Sequence, residues 1–382
     1  MKLYCRSMNF PIIFILIYLF VLPNFPVAAF YLMNEVHQSF TTNFSFPKIT
    51  AKSDSQDEDI IIPNSILDQI HPDNLISTVY DLSSFHTRHT QSEDIDDVAS
   101  WLMEKLQNTC DGDVYIHNFT HTSNGEEEDD DVDTQQNQYQ DKMPTYHLKN
   151  IICEKPGSTN NTIIISAHYD SRMEDTNNST ARAPGADDNA SGVSALLELA
   201  RVLSNVSLNN SIIFVLFPGE EQSKWGSTQY ADYVDNAEVN IDLLINLDMV
   251  GFSPEETNDF LIEYDNGNVV QDNDKYSRAV ADFIKGIAEN HTDLNATLGL
   301  LGNSDYLPFE ALGYTVIGLH DDGVTKNPNH HTMNDIPNLL DYEYLTSVTR
   351  LTLATILGLD TPQQVEFRQQ PSHWPYQKVQ VK

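Results

Sequence analysis

Basic residues are scarce in this chain. Its 382 residues hold 21 Lys+Arg against 56 Asp+Glu, giving a formal net charge of −35 and a pI near 4.4. That balance argues against nucleic acid or anionic membrane surfaces as partners, because both would be repelled. It favours solubility and draws cations. Long apolar runs are also rare. The one near the N-terminus, "FPIIFILIYLFVL" (Phe10 to Leu22), is too short to span a bilayer comfortably. Lys2 and Arg6 precede its core, and the small residues Val27 and Ala29 follow, so residues 1–29 read as a signal peptide cleaved after Ala29. An uncleaved signal anchor is the rival reading. Cysteine is the third scarcity, with three in the chain. Cys5 would leave with the leader, and Cys110 and Cys153 would remain as an even pair. In an oxidising compartment a disulfide between them is expected, against the alternative of two buried thiols. N-x-S/T triplets, at Asn43, Asn118 and Asn189 among others, agree with a secreted, extracellular glycoprotein that has no membrane attachment after cleavage. Asn189 sits inside a motif described below and is expected to stay bare.

Hydrophobic residues make up 40% of the chain, enough for one large core. Residues 30–74 lack clear periodicity and read as a propeptide or N-terminal arm. From Leu75, "LISTVYDLSSFHTRHTQSEDIDDVASWLMEKLQ" reads as helical, with Val98, Trp101, Leu102 and Leu106 near helical spacing. Residues 124–142, "NGEEEDDDVDTQQNQYQDK", form a low-complexity acidic insertion expected to be a disordered loop between two strands. Strands and helices then alternate. "TIIISAH", "SIIFVLF", "IDLLINLDM" and "YTVIGLH" read as strands, and "SGVSALLELARVLS", "GSTQYADYVD", "YSRAVADFIKGIAEN", "DYLPFEALG" and "DYEYLTSVTRLTLATILGL" as helices. Such alternation predicts an α/β domain over 75–360, with a mixed, mostly parallel central sheet covered by helices on both faces. Residues 361–382 read as a C-terminal tail.

Sites in such sheets form at the carboxyl ends of the strands. His168 and Asp170 follow one strand in "SAHYDS", and Glu220 and Glu221 follow another in "FPGEEQSKWGS". Asp248 ends "LINLDM". Asp187 and Asp188, in "APGADDNASG", and His331, in "NPNHHTMND", each precede a helix. Taken singly, each is an ordinary cap or turn residue. Together, that many carboxylates on one edge would repel one another unless a multivalent cation lay among them. Imidazole and carboxylate without thiolate suit zinc, or manganese or cobalt under other supply.

The ordered set "AHYDS", "PGADDNASG", "GEEQ", "NLDM" and "HHTMND" resembles the bacterial leucyl aminopeptidase and aminopeptidase Y family of di-zinc exopeptidases, metallopeptidase family 28. The likeness runs from about Leu75 to Leu359, and "LSSFHTRHT" with "ASWL" resembles that family's leading helices. The resemblance implies two zinc ions per chain in a zinc exopeptidase fold. His168 and Asp248 would hold one ion, Glu221 and His331 the other, and Asp188 would bridge both. The Asp188–Asn189 peptide would be cis. Glu220 would be the general base toward a water between the ions, and Asp170 would hold the free ring nitrogen of His168. His330 is a competing ligand, with His331 preferred because it directly precedes "TMND". Gly226 is expected to permit a close backbone approach. "GNSDYLPFEALG" departs from the family's Ser-Asp-His by placing Tyr306 at the His, which leaves Asp305 and Tyr306 without an assigned role. His320, in "GLHDDG", reads as structural, with a substrate contact as the alternative.

The expectation is a secreted, monomeric zinc aminopeptidase acting on peptide or protein N-termini. A carboxypeptidase-type relative would instead use Arg172, Arg182 or Lys224 to hold a terminal carboxylate. A glutaminyl cyclase shares the fold with a reduced single-zinc set. A non-catalytic ectodomain would lose ligands or the base, and a plain acidic calcium-binding protein would leave the two histidines unexplained.

Overall fold

The structure, a computed structural model, describes residues 62–122, 144–253, 257–321 and 327–360. The signal-peptide, acidic-insertion and tail readings lie outside these residues, as does most of the 30–74 arm.

The chain opens with helices α1 (Asn64–Leu67), α2 (Pro72–Ser84) and α3 (Ile95–Thr109). Strands β1 (Asp113–Thr122), β2 (Thr145–Lys155) and β3 (Thr162–His168) follow, then α4 (Gly192–Leu203), β4 (Ser211–Phe217), α5 (Trp225–Asn236), β5 (Ile241–Leu247) and β6 (Asp259–Tyr264). The chain continues through α6 (Asp274–His291), β7 (Asn295–Leu300), α7 (Leu307–Ala311), β8 (Val316–His320) and α8 (Tyr342–Leu359).

The strands form one eight-stranded sheet in the order β1-β2-β4-β3-β5-β8-β6-β7. The central four, β4, β3, β5 and β8, are mutually parallel. Antiparallel pairing adds β2 and β1 on one side and β6 on the other, with β7 parallel to β6. The continuous β-branched and leucine runs explain the centre: every residue of β3 and β5 is buried. Successive side chains point to opposite faces. Ile163, Ile165 and Ala167 therefore join the core that α2, α3, α4, α6 and α8 cover, while Ile164 joins a second core with Tyr230 of α5 and Phe309 of α7. Asp341 caps α8, accepting from the backbone N–H groups of Glu343 and Tyr344, both at 3.0 Å.

Three differences from the sequence reading have local causes. The packed domain starts before Leu75, because Ile62, Leu67 and Ile70 are buried in the main core. The stretch from Leu75 is two helices, not one. Phe85–Asp94 between them carries Arg88, wholly buried, whose guanidinium donates to the carbonyls of Tyr169 (2.8 Å), Pro184 (2.5 Å) and Gly185 (2.8 Å). The segments holding β6 and β7, absent from the strands expected above, are strands. β7 mixes exposed residues with one buried and two half-buried ones and lacks an apolar run. Cys110 and Cys153 are disulfide-bonded, tying the end of α3 to β2.

Candidate metal centre

Parallel strands β3, β4 and β5 end together, so their next residues meet at one edge of the sheet. His168 closes β3, Glu220 and Glu221 follow β4 after Pro218-Gly219, and Asp248 follows β5. Gly226, just beyond, packs its backbone so closely that a Cβ there would sit 2.5 Å from the Pro218 carbonyl and 2.6 Å from Asn150 Oδ1. Asp187 and Asp188 lie in the turn Ala186–Ser191 that leads into α4, with a cis peptide between Asp188 and Asn189.

Asp188 is the hub. Its Oδ1 lies 3.2 Å from His168 Nε2, which is also 3.2 Å from Asp248 Oδ1. Its Oδ2 lies 2.9 Å from His331 Nε2, which is 3.1 Å from Glu221 Oε1. The ligand atoms of His168, Asp188 and Asp248 fall within 4.8 Å of one another, as do those of Asp188, His330 and His331. His330 Nε2 is 3.2 Å from Asp188 Oδ2, and its ring lies over that of His331 at 3.6 Å. Only His331 of the two also reaches Glu221. Asp170 faces the other nitrogen of His168, with its carbonyl 3.2 Å and its Oδ1 3.5 Å from Nδ1. It also accepts from the backbone N–H groups of Glu220 (3.2 Å) and Glu221 (3.3 Å) and from Thr90 Oγ1 (3.0 Å). One carboxylate thus orients a histidine and both glutamates.

The titration of these groups reflects their crowding. Burial alone would lower the His168 imidazole, but Asp248, Asp170 and Asp188 outweigh it and raise it well above its ordinary value. His331 is opposed by burial yet held up at about 9 by Asp188 and Glu221. Burial would raise Asp188, but hydrogen bonds from His168, His330 and His331 hold it well below the usual carboxylate range. Asp248 is lowered, with burial opposed by His168. Burial pushes Glu220 well up, and Glu221, Asp248 and Asp305 add to it against His168. Glu221 is also raised, by burial and then Asp188.

Several supporting contacts were not legible beforehand. Asp335, the last residue of "TMND", accepts the backbone N–H groups of Asp187 (3.0 Å) and Asp188 (3.1 Å). Ser304 donates to Asp248 Oδ2 at 2.5 Å and accepts from Asn246 Nδ2 at 2.8 Å. Arg172 Nε donates to Glu221 Oε2 at 2.6 Å, leaving Oε1 facing His331. The resemblance to the family's Ser-Asp-His was the one available signal for Ser304. Tyr306 is buried and donates to Glu263 Oε2 at 2.8 Å. Beside it, burial pushes the Asp305 carboxyl up to about 7. His320 ends β8 with Nδ1 3.6 Å from Asp321 Oδ1. Asn189 is wholly buried, and its amide is engaged by Leu247, Gly192 and Met249, so no glycan fits there.

The imidazoles of His168 and His331 and the carboxylates of Asp188, Glu221 and Asp248, mostly buried and linked through Asp188, make a donor set of the hard-to-borderline kind that zinc takes. The raised imidazoles of His168 and His331 offset the repulsion among these acids.

Comparison with known proteins agrees with this chemistry. Residues 150–356 match the model of peptidase family M28. A probable zinc metalloprotease of Pyrenophora tritici-repentis is 29% identical over 351 residues, covering 79% of this chain and 76% of that protein. Among solved structures, the LapA aminopeptidase of Legionella pneumophila matches with TM-score 0.62 at 19% identity, covering 84% of this chain and 78% of that one. The glutaminyl cyclase of Bacteroides thetaiotaomicron matches with TM-score 0.59 at 20% identity, covering 76% and 98%. The structural likenesses speak to the fold alone, since it carries more than one chemistry.

Proposed function

The chain belongs to peptidase family M28, and we propose that within this family of zinc metallopeptidases it is a secreted aminopeptidase working with two zinc ions. The observation that carries the reading is the two-sided use of Asp188, one oxygen toward His168 and the other toward His331. On this reading His168 and Asp248 serve one ion, Glu221 and His331 the other, and Asp188 both.

Zinc held there supplies Lewis acidity toward a scissile carbonyl and a lowered pKa for water. The chain's own residues do the rest. Glu220 stands beside the ligands with its raised carboxyl. It takes a proton from the attacking water and passes it to the leaving amine. Asp170 fixes the tautomer and orientation of His168 and, through two backbone N–H groups, the placement of Glu220 and Glu221. The surplus of carboxylates at this edge pairs with the substrate's free ammonium group, which selects N-termini.

Two rivals fit less well. A carboxypeptidase needs a cation free to hold a terminal carboxylate, and the three nearby candidates are engaged within the chain. Arg172 bonds Glu221, Arg182 bonds the carbonyls of Ser83 and Phe85, and Lys224 bonds Asn303 Oδ1. A glutaminyl cyclase works with a reduced ligand set, whereas His168 and Asp248 are both in contact here. The test is hydrolysis of leucine amide against its N-acetylated form by the zinc-loaded protein. Cleavage of the free amine alone supports the proposal. Equal cleavage of both, or cyclisation of N-terminal glutamine without amide hydrolysis, contradicts it.

A further inference from the structure

The loop between β6 and α6, "DNGNVVQDND" from Asp265 to Asp274, has no part in the proposed zinc site. The register explains its place. β6 runs antiparallel to β8, with Leu261 opposite His320 and Tyr264 opposite Ile317. The end of β6 therefore leaves the sheet at the edge away from His168, Asp188 and Asp248.

This loop buries oxygen without donors. Asp265 and Asn273 are wholly inaccessible, yet Asp265 Oδ2 and Asn273 Oδ1 have no hydrogen-bond partner among the described residues. Asp274 Oδ1 is likewise buried and unpartnered. The other atoms of these residues are engaged. Asp265 Oδ1 accepts from Asn268 N (3.4 Å), and Asn273 Nδ2 donates to the Tyr314 carbonyl (2.7 Å). The two ends of the loop are tied together, because Asp265 N donates to Ser277 Oγ (2.8 Å) and Ser277 N to the Asn273 carbonyl (3.0 Å). Buried acceptors left without donors are costly, and an uncompensated buried carboxylate more so. Glu310 does not relieve them. Its Oε1 is occupied by Val269 N and Val270 N, both at 2.8 Å, and its negative charge adds to theirs. Burial, then Glu310 and Asp274, push the Asp265 carboxyl up to about 6.

We propose that this loop is a second metal site, for one hard divalent cation, calcium, taken by Asp265 Oδ2, Asn273 Oδ1 and Asp274 Oδ1 with carbonyls and waters completing the shell. All three donors are oxygens, which is the ligand chemistry calcium selects over zinc. The first turn of α6 carries partial positive charge, but two full carboxylate charges exceed it. Calcium here would pin the loop that joins β6 to α6, and so act on stability rather than on the reaction. The proposal does not depend on the aminopeptidase reading.

The test uses the full mature protein, loaded with zinc and held in calcium-free buffer. Calcium alone is titrated by calorimetry, alongside thermal melts and tyrosine-sensitised terbium emission, for which Tyr264 and Tyr276 are adjacent donors. The expected result is binding at about 0.1–1 mM, the range of extracellular calcium modules. The melting temperature should rise with calcium while leucine amide turnover, measured at a temperature well below the melt, stays constant. D265N should weaken binding about tenfold or more, through loss of one of two carboxylate charges, and D274N should do the same if D265N folds poorly. Two outcomes overturn the proposal. In one, calcium leaves the wild-type melt unchanged, and the oxygens simply take water. In the other, calcium binds equally well in both variants, which places it elsewhere on this acidic chain.

Discussion

Asp335 should matter to zinc although it touches no ligand atom. Its carboxylate accepts the N–H groups of Asp187 (3.0 Å) and Asp188 (3.1 Å), and its carbonyl accepts from Ala186 N at 3.1 Å. The turn that presents the hub carboxylate is therefore hung on one side chain. Asp335→Ala would orphan two buried N–H groups, at about 1–3 kcal/mol each, or roughly 2–6 kcal/mol in all. Part of that is returned. Burial raises the Asp335 carboxyl from 3.8 to about 6, so its ionised form costs about 3 kcal/mol at neutral pH. The two effects nearly cancel, leaving a net change in folding of about −1 to +3 kcal/mol. The larger consequence is loss of Asp188 placement, and losing such a support typically weakens metal affinity about 10–100-fold. Asp335→Asn keeps one acceptor oxygen and should fall between. Zinc affinity by competition with a chromophoric chelator, with circular dichroism to confirm folding, reads both variants. Wild-type zinc affinity in a folded Asp335→Ala protein would refute the reasoning.

Other consequences are equally accessible. Glu220→Gln should lower kcat by about 10²–10⁴ while zinc content is unchanged, because it removes the proton acceptor and no ligand; Asp188→Asn should lose both metal and activity, and retained turnover in the first would remove Glu220 as base. In the metal-free chain His331 is raised from 6.5 to about 9, so its contribution to stability is full below pH 6.5 and is lost as pH rises through about 9. Zinc uptake within that window must expel the proton, so calorimetry in two buffers of different ionisation enthalpy should report proton release at pH 7.5; none would contradict the contact of His331 with Asp188 and Glu221. The Cys110–Cys153 bridge closes a sequence separation of 43 residues, worth about 4 kcal/mol in chain entropy, and the double serine variant should unfold at correspondingly lower urea.

Sequence showed the proposed ligands more clearly than their supports, for a physical reason. β3, β4 and β5 are continuous apolar runs, so their ends were easy to place, and His168, Glu220, Glu221 and Asp248 sit at those ends. Asp188 and His331 stood in motifs whose order matched a known family. Asp335, Ser304 and Arg172 act across loops that meet only in three dimensions, and no periodicity marks such meetings. Arg88 is the sharpest case, since a charged residue is the last to be expected at full burial, yet its donors are needed by the carbonyls that flank the ligand turns. The half-exposed pattern of β7 hid an edge strand in the same way, by lacking the contrast on which a sequence reading depends.

The central claim is that Asp188 serves two metal ions at once. Metal analysis of the purified protein, after zinc has been offered and excess removed, tests it most directly. The account predicts about two zinc ions per chain, both lost together in Asp188→Asn. One zinc per chain in the wild type, or two retained by the variant, would contradict it.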